Sequence, residues 1–150
     1  MTTIPMLHTP ADVALQALID LGVVGSDPDD EASWPGFVDI MPDWPDQVVL
    51  LRDTQGRQHG TSMIDGDVAR TYGAQVTVRS QLSENGAVKA FSLQDTMSRG
   101  VYGMNVTLGG STYKLHCFTE VRDVIPVGLE DGNNRFVHTI NVMIAVRRLT

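Results

Sequence analysis

Residues 135–148 read Arg135-Phe-Val-His-Thr-Ile-Asn-Val-Met-Ile-Ala-Val-Arg-Arg148. Phe136, Ile140, Val142, Ile144 and Val146 fall on one parity. Val137, Thr139, Asn141, Met143 and Ala145 fall on the other. Side chains alternate between faces along a strand, so this is a long β-strand with one face in a core and the other only half wet. A half-dry second face requires a cover, either a helix of the same chain or another subunit. His138 shares the parity of the apolar face, where a hydrogen-bonded histidine at the core edge is the expected role.

Working outward, Thr9-Pro-Ala-Asp12 is a helix start: Thr9 caps, Pro10 fits the first turn, and Asp12 faces the positive end of the helix dipole. Val13, Ala14, Ala17, Leu18 and Leu21 recur at helical spacing, and Gly22, or Gly25 if the helix frays later, stops the run, which predicts a helix over about 9–22. Short apolar strands are expected at 37–41 and 48–51, separated by the breaker Pro42-Asp-Trp-Pro-Asp46. Ala74 to Leu82 alternates, with Gln75, Thr77, Arg79 and Gln81 on its wet side. A second helix is expected over 86–99, with Ala87, Ala90, Phe91, Leu93 and Met97 as its apolar stripe. Strands follow at 104–108 and 112–119, the latter continued past a kink by 120–127, with a Gly/Asp/Asn-rich connection at 128–134. The sum is an α+β single domain, a largely antiparallel β-sheet packed with two α-helices. Mobile loops are expected at 25–35, which is acidic, and at 54–69, where Gly56, Gly60 and Gly66 sit among polar residues.

A 150-residue chain can bury roughly 68–70% of its unfolded surface and needs no covalent staple. Its 42% hydrophobic and 19% charged residues suit a globular protein. The lone Cys117 excludes an internal disulfide and the cysteine-rich zinc sites. No apolar run is long enough to span a membrane, and the N-terminus lacks the pattern of a signal peptide, so folding in a cytoplasm is expected. Net charge is −7, unevenly placed: residues 1–70 carry 12 acids and 3 bases, residues 71–150 carry 6 acids and 8 bases. This argues against a sequence-reading DNA binder, which needs a basic footprint. It fits either solvated acidic loops or acidic and basic surfaces that meet between neighbouring copies.

No chemical signature emerges. Asp27, Asp29, Asp30 and Glu31 lack the glycine and spacing of a calcium loop, and Pro28 interrupts them. His8, His59, His116 and His138 form no metal-ligand pair. Nucleophile elbow, phosphate-binding loop and dinucleotide fingerprint are all absent. No catalytic residue, metal or cofactor is expected. Trp34 and Trp44 flank prolines and either anchor a partner or pack on their own domain.

The order of elements carries a resemblance. The capped helix, the Pro42-Asp-Trp-Pro-Asp46 turn before Val48-Val-Leu-Leu51, the alternating Gln75-Val-Thr-Val-Arg79, the alanine-containing helix, the Gly109-Gly-Ser-Thr-Tyr113 hairpin and the closing strand together resemble the tail terminator and minor capsid proteins of long-tailed bacteriophages. The resemblance implies a virion protein, assembled in the host cytoplasm, that forms a hexameric ring. That ring caps the tail tube, ends tail polymerisation and joins the tail to the head connector. Implied partners are further copies of the chain, the tail tube protein, the connector or stopper protein, and genomic DNA that passes through the channel without sequence-specific binding. Candidate subunit or partner contacts are Arg57, His59, Asp65 and Asp67 in the polar loop, and Val137, Thr139, Asn141 and Met143 on the closing strand. A head-completion or stopper protein of the neck is the near alternative. A small cytoplasmic enzyme or ligand-binding domain using His116, His138 and the acidic loop is the alternative from another class.

Overall fold

The computed structural model describes residues 4–61, 68–130 and 134–150. Helix α1 (Pro10–Asp20) begins as its sequence dictates. The Thr9 hydroxyl accepts from the Asp12 N–H at 3.2 Å and donates to the Asp12 carboxylate at 3.0 Å. Asp53 reaches over from the sheet and accepts from the Ala11 N–H at 2.9 Å, so two orphan donors of the first turn are satisfied. Gly22, at φ +77°, supplies the left-handed residue that ends the helix.

The strands are β1 (Gly36–Val38), β2 (Val48–Thr61), β3 (Val68–Ser80), β4 (Tyr102–Leu108), β5 (Ser111–Val121), β6 (Ile125–Leu129) and β7 (Phe136–Arg148), with helix α2 (Ser83–Arg99) between β3 and β4. They form one sheet in the order β1-β2-β3-β7-β5-β4, with β6 also on β7. All pairings are antiparallel except β1 with β2. The fold is therefore α+β, as the sequence predicts.

The expected loop across 54–69 is corrected: residues 54–61 and 68–69 belong to β2 and β3, and 62–67 lie outside the described residues. The glycines that read as breakers serve the ladder instead. The register shifts between Thr54 and Arg57, and there a Cβ on Gly56 would stand 2.2 Å from the Thr71 carbonyl. On Gly73 it would stand 2.5 Å from the Gln55 carbonyl and the Thr54 hydroxyl. Only glycine permits two backbones to approach this closely at a bulge. Of the segment 120–127, expected as a kinked continuation, Glu120 and Val121 continue β5, while the chain from Ile125 forms the separate short strand β6.

Both helices lie on one side of the sheet. Val13, Ala14, Ala17 and Leu18 of α1 and Ala90, Leu93 and Met97 of α2 join Leu51, Val76, Ile140, Ile144 and Leu115 in a single buried cluster. The register Leu51–Val76–Ile140 runs straight across three strands, which makes that row continuous. The α2 stripe is Gly86, Ala90, Leu93 and Met97; Phe91 is 58% exposed, a correction to the expected stripe. At 3.6 residues per turn Phe91 stands about 100° round the helix from Ala90, on the side away from Gly86, Leu93 and Met97. Tyr113, wholly buried, pins the segment before α1: its hydroxyl accepts from the N–H groups of Leu7 and His8 and meets His8 Nδ1 at 2.7 Å.

His138 is buried on the helix-bearing face, consistent with its parity. Its Nδ1 has no hydrogen-bond partner, which departs from the expected hydrogen-bonded role. Gly86 packs against this edge of the ring, where a Cβ would stand 3.1 Å from Nδ1 and 2.5 Å from the Ser80 hydroxyl. Burial lowers the pKa of His138 below 6.5.

Two predictions follow from the packing and the burial. Leu93→Ala is expected to destabilise the fold by about 3 kcal/mol, while Phe91→Ser stays within about 0.5 kcal/mol of wild type; urea midpoints measure both. The unfolded chain binds a proton at His138 more readily than the folded one, so this contribution to stability is complete above pH 6.5 and declines as the pH falls below it. Unfolding curves of wild type and His138→Phe across that range are expected to converge towards acid, because the variant lacks the slope.

Candidate functional site

The helix-free face of the sheet decides how the candidate contacts are disposed. No helix among the described residues packs on it, since the buried residues of α1 and α2 join the opposite face. Val137, Thr139, Asn141, Met143 and Ala145 are each half-buried, as the closing-strand pattern predicts. Across the ladders they extend into rows: Val48–Arg79–Val137, Leu50–Thr77–Thr139, Arg52–Gln75–Asn141 and Thr54–Gly73–Met143.

One end of this face is closed by the chain itself. Arg79, expected on a wet side, is 1% exposed. Its guanidinium donates to the carbonyls of Pro45 at 2.6 Å and Asp46 at 3.4 Å, and Glu130 Oε2 stands 3.7 Å away. Arg135 reaches the Asp46 carboxylate at 2.8 Å. The Pro42–Asp46 turn is thereby drawn over Arg79, and alternation alone could not reveal it because the cover comes from a distant segment. Burial lowers the Arg79 pKa, and Arg135 lowers it further. Glu130, Asp46 and Asp43 act in the opposite direction.

The other end is open. Thr54, Gln55, Gly56, Arg57, Glu120, Arg122, Asn141 and Met143 line a groove of about 490 Å³. Gly56 lies in its lining, at the bulge where β2 and β3 approach each other closely. Arg57 is exposed, and Arg122 pairs with Glu120 at 3.2 Å. The structure thus brings Arg57, Asn141 and Met143 together, with Thr139 and Val137 in the rows beyond. His59 falls within β2 with its side chain outside the described set, and Asp65 and Asp67 lie outside the described residues. Sequence reasoning missed Arg122 and Glu120. The lone Gly73 beside an alternating run was the available signal of close backbone approach.

The positive side chains gather here. Arg52 and Arg57 on β2, Lys114 opposite Arg147 on β5 and β7, and Arg122 all lie on or beside the helix-free face. Among the described residues Glu120 and Asp123 are the acids near the groove. His116 reports the field: burial lowers its pKa first, then Arg147 and Lys114. The acidic loop lies elsewhere, beside the helices. A parallel bridge, Gly25 to Pro35, closes its neck, and the Lys89 ammonium stands 5.8 Å from the Trp34 ring centre. Trp34 packs on the core while Trp44 is 56% exposed.

Among the described residues no three His, Cys, Asp or Glu side chains gather as metal ligands. No helix among them is long and apolar enough to cross a membrane. No family model matches the chain, and no curated protein does. Among solved structures, a chain from the "Virion of native gene transfer agent (GTA) particle" is similar at 13% identity, over 94% of this chain and 98% of that one, with a TM-score of 0.50. The two share a fold. Another solved chain, also 13% identical, covers 90% of this chain and 96% of its own at a TM-score of 0.45, too distant to carry an argument.

Removing one partner from a buried charged network leaves the other groups unpaired. Arg79→Ala is therefore expected to cost about 3 kcal/mol and to loosen the turn at Trp44. Urea unfolding measures the first effect, and a rise in Trp44 fluorescence quenching by acrylamide the second.

Proposed function

We propose that this chain is a structural subunit of a phage-like virion, one that assembles as a ring, expected to be a hexamer, on the end of the tail tube. There it ends tail polymerisation and joins the tail to the head connector or stopper protein. The observation that carries this reading is the helix-free sheet face: half-buried, lined by Thr139, Asn141 and Met143, and open at the groove. A sheet face dry enough to prefer a cover, but uncovered by its own helices, suits a contact between subunits. The shared fold with a virion chain over nearly the whole length supports the same reading. Contacts of one surface with a different surface on the next copy close into a ring when the rotation permits.

In this reading Val137 and Thr139 lie near the buried rim of the contact, and Asn141, Met143 and Arg57 lie at its centre. The chain's net charge of −7 suits a channel through which DNA passes without being held, because like charges repel. No reacting group is required, and the subunit acts by position.

Particles produced without this chain are expected to show tails of uncontrolled length that fail to join heads, seen by electron microscopy. Tails of normal length that remain unjoined would assign the chain to the stopper position instead. Particles normal in length and joining would remove the proposal.

A further inference from the structure

We propose that the basic helix-free face docks the acidic loop, Asp27 to Glu31, of a second copy of this chain. The inference rests on the ring reading above and names the contact within it.

Three observations converge. First, in a chain of net charge −7, five of its eleven cations (Arg52, Arg57, Lys114, Arg122 and Arg147) lie on or beside one sheet face, in addition to the buried Arg79 at its closed end. Among the described residues the acids beside them are Glu120, already paired with Arg122, Asp123, and Asp39, whose carbonyl accepts from Arg52 at 3.5 Å. Arg57 has no ion-pair partner among the described residues. Second, Asp27, Asp29, Asp30 and Glu31 also make no ion pair among the described residues, and the three aspartates are exposed. Their exposure leaves them free to meet a positive partner at short range.

Third, the two surfaces lie apart. The loop is fixed on the helix side, where Lys89 donates to the Val23 carbonyl and stands by Trp34, while the groove opens on the other side of the sheet. One copy cannot bring them together, so the contact is head-to-tail, the arrangement that builds rings.

The loop enters such a contact already shaped. Asp27 Oδ1 accepts from the Asp29 N–H at 3.0 Å, the Ser33 hydroxyl donates to the Asp30 carbonyl at 2.7 Å, and Gln47 donates to the Glu31 carbonyl at 3.3 Å. Little ordering remains to oppose binding. A carboxylate loop is favoured over nucleic acid as the occupant. Met143 gives the groove an apolar wall, and the whole chain repels a phosphate backbone at distance.

The test uses sedimentation velocity of the full chain at low and high ionic strength, since such pairs are screened as the Debye length falls from about 10 Å at 0.1 M to about 3 Å at 1 M. Wild type is expected to associate at low salt and to dissociate at high salt. Arg57→Glu with Arg122→Glu, and separately Asp29→Lys with Asp30→Lys, are each expected to abolish association. Mixed in equal amounts, the two double variants are expected to associate again, because each face then meets a loop of opposite charge. Arg57→Gln with Arg122→Gln, which places no acid beside Glu120, provides a milder loss in case the reversed variant misfolds; circular dichroism reads folding in every case. A wild type that stays monomeric at both salts overturns the proposal, as does unchanged association of either reversed pair. A short DNA duplex that binds wild type but not the Arg57/Arg122 variant, with association untouched by Asp29/Asp30 reversal, assigns the face to a polyanion instead. Rings that persist with reversed charges refute this contact and leave the ring function standing. Charge-dependent association of a chain absent from any particle supports the contact and refutes the function.

Discussion

Strand β7 is the constraint on which the remainder of the structure depends. Its edges are occupied on both sides, by β3 along one and by β5 and then β6 end to end along the other. With its backbone donors and acceptors used in these ladders, its register fixes the register of every neighbour. A slip of one residue would turn Ile140, Val142 and Ile144 away from the helices and bring Thr139, Asn141 and Met143 into the core. The cost of burying the amide and hydroxyl without partners forbids that.

Given this register, the two faces have different fates. The helix-bearing face is filled by small and aliphatic side chains, with Ala11, Ala14, Ala17 and Ala90 allowing the helices to sit close to the sheet. The opposite face is closed at one end by the Arg79 network and left open at the other, beside the Gly56 bulge. A buried guanidinium with carbonyl partners is a costly way to hold a turn, so its net value to stability is modest. Its effect is positional: it sets where the covered part of the face stops. The open part coincides with the concentration of positive charge, and that coincidence turns an uncovered sheet into a surface with a preferred kind of partner.

The elements and most of the core were legible in the sequence because they rest on local rules. Thr9 and Pro10 start α1 through groups within one turn, and the alternation in 136–146 assigns faces without reference to anything distant. The errors arose where distant segments intervene. Gly56 reads as a loop residue until Thr71 is known to lie across from it, and Arg79 reads as wet until Pro45 and Asp46 are known to cover it. Of the candidate contacts, Asn141, Met143 and Arg57 converge on one groove, but Arg122 was invisible because nothing near it in the chain marks it.

The sequence by itself determined the α+β class, the ends of α1, the parity of the closing strand and the segregation of acid into the first half of the chain. These follow from periodicity, capping and composition, which act over a few residues or over none. Only the tertiary structure decided which side of the sheet the helices take, where the second face is covered, and that five cations from β2, β5, β7 and the turn after β5 share one surface. Those facts depend on strand order and register, which bring residues far apart in sequence within reach of a single partner.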